Sequence, residues 1–113
     1  METTIAANTP LVQKVQSTTG AVPTWGVVFS GDSTLDAAQY ETQTIAPQRG
    51  ITNAAIYYRQ GSYRSVAIAA DRVQAEQLLS KAKGRRPDSY IVNMSTWCPR
   101  TTEKAGYFEC ASP

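Results

Sequence analysis

Residues 61–83, GSYRSVAIAADRVQAEQLLSKAK, constrain this chain most, because a strand-forming run passes into an amphipathic helix through one capping residue. Asp71 stands where a side-chain oxygen caps a helix start, and Gln74 holds the reciprocal capping position. Ala75, Leu78, Leu79 and Ala82 recur at i, i+3, i+4 and i+7, which makes one buried stripe. Lys81 and Lys83 fall in the last turn, where cations favour the helix dipole, and Gly84 ends it. A looser copy lies upstream in residues 25–46, WGVVFSGDSTLDAAQYETQTIA. There, a strand over 24–30 places Trp25, Val27 and Phe29 on one face and Gly26, Val28 and Ser30 on the other. Gly31-Asp32 breaks it. Ser33, with Asp36 three residues on, predicts a capped helix carrying Leu35, Ala38, Thr42 and Ile45 along one side, stopped by Pro47.

Between the two units, residues 53–59 and 62–69 read as a hairpin, since Gly61 accepts the positive φ that the short Gln60-Gly61 loop needs. Residues 89–94 form the last strand. The order is therefore β-α-β-β-α-β. Right-handed crossovers then place both helices on one face of a four-stranded antiparallel sheet, a ferredoxin-like α+β fold whose other face stays open. Residues 1–23, rich in Thr, Ala, Ser and Gln, read as a flexible linker. The domain occupies 24–97, and 98–113 form a C-terminal tail.

A chain of 113 residues suffices for one domain, and 42% hydrophobic content argues against wholesale disorder. The net charge of +2 is too balanced to indicate nucleic-acid binding by itself. The absence of histidine removes the commonest general base and metal ligand. Two cysteines cannot build a four-cysteine zinc site. No phosphate-cradling glycine motif is present, no base lies within sequence reach of Ser33, and Asp32, Ser33 and Asp36 fit capping better than catalysis. The expectation is a non-enzymatic chain without metal or cofactor. No stretch is apolar enough to span a bilayer, and no signal-peptide pattern opens the sequence. The chain is either made without a signal peptide or is a segment of a longer protein.

Tyr63-Arg64, the apolar strand after it, then Arg72 and the Ala75-Glu76 pair opening a helix, resemble the second repeat of the SPOR-like family. The likeness covers residues 25–94, with VVFSGDSTLDAAQYE similar in outline to the first repeat. Val27–Gly31 stands where that family usually carries Gln followed by Gly-Ser, and Ile68-Ala69-Ala70 where it usually has Gly-Pro-Phe. The resemblance implies a bacterial cell-envelope or periplasmic domain within a longer chain, binding the glycan strands of peptidoglycan through the open sheet face. A cytoplasmic location is not excluded.

A two-residue hairpin loop pairs Tyr57 with Arg64 and Arg59 with Ser62, so Tyr57, Arg59 and Arg64 share a face. A ring beside guanidinium donors suits a sugar, whose apolar C–H face it covers while the donors reach hydroxyls or a carboxylate. Asn93 on the last strand adds an amide. The same residues also suit a plain solvated sheet face, and a one-residue slip would substitute Tyr58 and Tyr63. Cys98 and Cys110 suit a disulfide pinning the tail in an oxidising compartment, or two free thiols in a reducing one. The wide spacing argues against a thiol-redox centre. Trp97 is expected as core or rim at the sheet end. Lys81, Lys83, Arg85 and Arg86 read as a solvated helix end or as an anion-binding cluster.

Two further functions fit the same order of elements. A protein-interaction or sensory accessory domain would present a flat apolar face built from Val66 and Ile68 to a fused or partner domain. An RNA-recognition-like module would stack bases on that face, although SYRSVAIAA lacks the aromatic richness such a module uses.

Overall fold

The computed structural model describes residues 25–111, so the linker expected over 1–23 and the last residues of the tail lie outside it. The elements are β1 (Trp25–Asp32), α1 (Leu35–Tyr40), a π-helical segment (Glu41–Ile45), α2 (Ala46–Gln48), β2 (Ala54–Arg59), β3 (Ser62–Ala69), α3 (Arg72–Lys83), β4 (Tyr90–Asn93), α4 (Met94–Trp97), β5 (Thr101–Lys104) and β6 (Tyr107–Cys110). The chain is α+β, but its sheet has six strands in the order β4-β1-β3-β2-β6-β5. Neighbours are antiparallel except β2 and β6, which run parallel, so the sheet is mixed. This corrects the expected four-stranded antiparallel sheet: residues expected as a tail supply two more strands.

That correction has a local cause. Strand-forming Thr101-Thr102 and Tyr107-Phe108 flank the two-residue Ala105-Gly106 connection, making a second hairpin. Its inner strand then covers the edge of β2, which would otherwise present unpaired backbone groups.

The hairpin register is as the loop length implies, with Tyr57 opposite Arg64 and Arg59 opposite Ser62. Gln60 and Gly61 both take positive φ, 52° and 80°. On β1, Trp25, Val27 and Phe29 face the helices as expected. A bulge between Val28 and Ser30 then shifts the pairing so that Ser30 meets Ser65, Gly31 meets Arg64 and Asp32 meets Tyr63. Ser30 therefore leaves the face of Gly26 and Val28, and Gly31-Asp32 continue the strand instead of breaking it. An extra residue on one strand re-aims every side chain after it.

The helix-side core joins Val27, Phe29, Ala67 and Ala69 of the sheet to Ala46, Ile51, Ala75 and Ala82, with Leu78 and Leu79 packed against them. The α3 stripe is thus the buried face, and Asp71 caps α3 by accepting from Gln74 N at 2.8 Å. The first helix differs from its expectation in two ways. Thr34, rather than Ser33, is the cap, accepting from Ala37 N at 3.2 Å. Pro47 also lies inside the helical stretch. Thr42 Oγ1 donates to the carbonyls of Ala38 and Gln39, and the ladder widens into a π turn in which Ala46 N donates to Glu41 O. The wider turn relieves the clash between a proline ring and the carbonyl below it, and Pro47 falls in the first turn of α2, where a missing N–H costs little.

The opposite sheet face is not bare. Val28, Val66, Val92 and Met94 form a second buried cluster there, with Tyr57, Ile68 and Trp97 packed against it. The short helix α4 turns the chain back over this face directly after β4. Gly26 makes that closeness possible, because a Cβ there would sit 2.7 Å from Val66 Cγ1 and 2.9 Å from Met94 Sδ. The expected open face is therefore partly covered by the chain's own C-terminal part.

Candidate functional site

Of the four residues expected to contact a ligand, the structure brings Tyr57, Arg59 and Arg64 onto one side of the β2–β3 hairpin and leaves Asn93 apart. Asn93 pairs with Trp25 at the far end of β1, and its side chain caps α4 by accepting from Ser95 N at 2.9 Å. A strand that ends in a helix start consumes the amide as a cap.

Tyr57 is not a free stacking platform. Its ring stacks on Phe108 at 5.3 Å and meets the edge of Trp97 at 6.0 Å. Burial pushes its phenol up to about 12. Arg59 is likewise engaged: Nε donates to the Trp97 carbonyl at 2.8 Å and the guanidinium lies 5.1 Å from the Trp97 ring centroid. Aromatic partners supplied from distant sequence thus convert two expected ligand contacts into tail contacts. Trp97, expected as core or rim at the sheet end, instead packs on the sheet face against the Val28–Met94 cluster.

Arg64 has a different setting. Opposite Gly31, where a Cβ would lie 3.8 Å from Arg64 Cδ, the arginine stem lies against the strand with no side chain in its way. It lines a cleft of about 320 Å³ at the end of β1, together with Ser30, Gly31, Ser62, Arg86, Asp88, Ser89 and Tyr90. The cleft exists because β4 pairs with β1 only from Trp25 to Val28 and then gives way to the turn after α3. Arg64 Nε is buried without a hydrogen-bond partner among the described residues. Such a donor is costly to bury and marks a place where an acceptor would be accommodated.

Arg86 approaches the same cleft from the helix side. Its Nη2 donates to Ser30 Oγ at 3.1 Å, and Ser30 Oγ donates to Asp32 Oδ2 at 3.0 Å. Ser89 Oγ donates to the Arg86 carbonyl at 2.7 Å, which fixes the turn. The cleft therefore carries two guanidiniums, serine hydroxyls and one lining carboxylate, Asp88. Arginine forks and hydroxyls in this proportion suit a ligand with a carboxylate and several hydroxyls.

The basic cluster separates into individual roles. Lys81 Nζ donates to the Gly50 carbonyl at 3.3 Å, and Arg85 pairs with buried Glu41 at 3.5 Å. Only Arg86 of this group lines the cleft. Its part was not legible in the sequence, because the serine it binds is re-aimed by the bulge. Among the described residues Asp32 caps no helix; it anchors Ser30.

Cys98 and Cys110 form a disulfide. Among the described residues no group of His, Cys, Asp or Glu could hold a metal ion, and no helix is long and apolar enough to cross a membrane. Comparison with protein-family models, with curated proteins and with solved structures finds no match to this chain.

Proposed function

We propose that this chain is a non-catalytic binding module for a carbohydrate polymer bearing carboxylates, with peptidoglycan glycan strands as the first candidate. The observation that carries the reading is the cleft in which Arg64, with its unpartnered buried Nε, and Arg86 converge beside Ser30, Ser62 and Ser89. A carboxylate placed there would accept charge-assisted hydrogen bonds, while the serines address hydroxyls. The β4-β1-β3-β2 part of the sheet, with α1 and α3 on one face, has the strand order of a ferredoxin-like fold, and the SPOR-like resemblance of residues 25–94 points the same way. Relative to the sequence reading, the site moves from the centre of the sheet to the end of β1. The disulfide suits an oxidising cell-envelope compartment.

The test is retention on purified glycan strands. Wild-type protein is expected to be retained, and Arg64→Ala to bind about 10- to 100-fold more weakly, as loss of a hydrogen bond to a charged group implies. No retention, or retention indifferent to Arg64→Ala, would overturn the proposal.

A protein-interaction role is favoured by one other feature. β5 is the outer edge of the sheet, and all four of its residues are exposed, so a partner strand has backbone groups to pair with. Crosslinking of a partner to Thr101–Lys104, with no glycan retention, would select this reading. Binding of single-stranded nucleic acid would instead show affinity falling steeply with salt.

A further inference from the structure

The described C-terminal residues meet the sheet in three places, one of them the Tyr107 ring, which lies 6.3 Å from that of Tyr58 and 5.2 Å from that of Tyr63. α4 drops Met94 into the core on the sheet face opposite the helices, and Trp97 lies against Tyr57. β6 then returns along the edge of β2, pairing only Tyr57 with Phe108 and Tyr58 with Glu109. Beyond it, β5 is exposed along its whole length, and the Lys104–Glu109 ion pair at 3.7 Å is solvated on both sides. Exposed ion pairs hold little. The noncovalent hold on residues 98–111 thus rests on two register pairs and on the rings of Tyr107 and Phe108, and a two-stranded unit is marginal in water by itself.

The disulfide joins the end of α4 to the end of β6, since Cys98 follows α4 immediately and Cys110 ends β6. Tyr57 lies between the rings that flank this bond, Trp97 on one side and Phe108 on the other. Closing the loop removes much of the entropy that the hairpin would gain on leaving.

We infer that the Cys98–Cys110 bond is a latch whose reduction frees the β5–β6 hairpin from β2 and uncovers one face of the Tyr57 ring beside Arg59 and Arg64. Cys98 is buried and Cys110 only half-buried, so a dithiol reductant attacks the Cys110 sulfur first. The attacking thiolate forms a mixed disulfide with Cys110, and Cys98 leaves as a thiolate and takes up a proton. The second thiol of the reductant then displaces Cys110, which is protonated in turn. The reductant departs as its own disulfide, having supplied the two electrons. Arg59 keeps Trp97 docked through its carbonyl bond, so the opening is confined to the residues after α4. The ligand consequence rests on the glycan reading above: the reduced form would offer the aromatic surface that the oxidised form covers.

Hydrogen exchange on the whole chain, oxidised against reduced and alkylated, tests the latch. Amides of Thr101–Cys110 are expected to lose about 100-fold in protection, the factor that corresponds to closing a loop of this size, while those of β1 and β3 keep theirs. The Cys98→Ser/Cys110→Ser double variant should reproduce the pattern without alkyl groups. Unchanged protection in the hairpin would overturn the latch, as would loss of protection through the entire sheet, which marks a global staple. Glycan retention is scored on the same samples. Its absence from both forms counts against the glycan reading, whereas the exchange pattern alone decides the latch.

Discussion

Arg59 grips Trp97 twice, donating from Nε to its carbonyl at 2.8 Å and placing the guanidinium 5.1 Å from its ring centroid. The two residues are far apart in sequence, and their contact ties the β2–β3 hairpin to the end of α4. Arg59→Ala is expected to cost about 1–3 kcal/mol, the scale of a charged hydrogen bond with a partly desolvated cation–π contact. Arg59→Lys should fall between, because an ammonium keeps the charge and loses the planar fork. Urea denaturation measures both, and an unchanged midpoint for Arg59→Ala would show the contact to be energetically idle.

Gly26 offers a sharper steric test. A methyl group there meets Val66 Cγ1 and Met94 Sδ inside van der Waals distance. Gly26→Ala should lose about 1–3 kcal/mol by overpacking. Met94→Ala should lose about 2–5 kcal/mol through its cavity. The double variant should be less destabilised than the two losses added, because the cavity admits part of the methyl. Additive losses in thermal or urea unfolding would place the strain elsewhere.

The phenol of Tyr57 makes stability depend on pH in the alkaline range. Burial raises it from 10.0 to about 12 in the folded chain. Between those values the unfolded chain has released the proton and the folded chain has not, so unfolding gains as pH rises. The contribution is fully present below pH 10 and is lost between about pH 10 and 12, on the order of 2–3 kcal/mol in all. Absorbance titration of phenolate should show a late-titrating component that is missing in Tyr57→Phe, and that variant should lack this part of the stability loss.

Helix capping separates the two strand–helix units. Asp71→Ala removes the acceptor for Gln74 N, and Thr34→Ala the acceptor for Ala37 N. Each should cost about 1 kcal/mol. Ser33→Ala should cost almost nothing, because Ser33 is exposed and Thr34 caps the helix. Equal losses from Ser33→Ala and Thr34→Ala, compared by thermal unfolding, would reassign the cap.

Much of the central fold was legible because it is encoded locally. The 3.6-residue stripe of α3, its Asp71 cap and the Gln60-Gly61 loop each depend on neighbours in sequence, and each stands in the structure where periodicity placed it. The first helix was harder to read. Proline predicts a stop, yet Thr42 and the π turn accommodate Pro47, and no propensity scale contains that compensation.

The candidate site was only partly legible, for a related reason. Arg64 was placed on a functional surface by cross-strand pairing, and it lines the cleft. Arg86 was seen only as part of a charge cluster, since its partner Ser30 reaches it through a bulge that alternation cannot foresee. Asn93 was assigned to a surface, although the strand gives way at once to α4 and takes its amide as a cap. The Ala105-Gly106 connection between Thr101-Thr102 and Tyr107-Phe108 was an available sign of the last hairpin, weak because both strands are only four residues long.

Sequence by itself determined the α+β order, the two helix faces and the hairpin register, because each follows from hydrophobic period or loop length over a few residues. Tertiary structure alone decided that the last strands would join the sheet in parallel with β2, that α4 would close over Val28 and Val66, and that Tyr57 would be enclosed by Trp97 and Phe108. Those outcomes depend on which distant surfaces exclude water together, and burial of that kind is a property of the folded whole, invisible to any short window of residues.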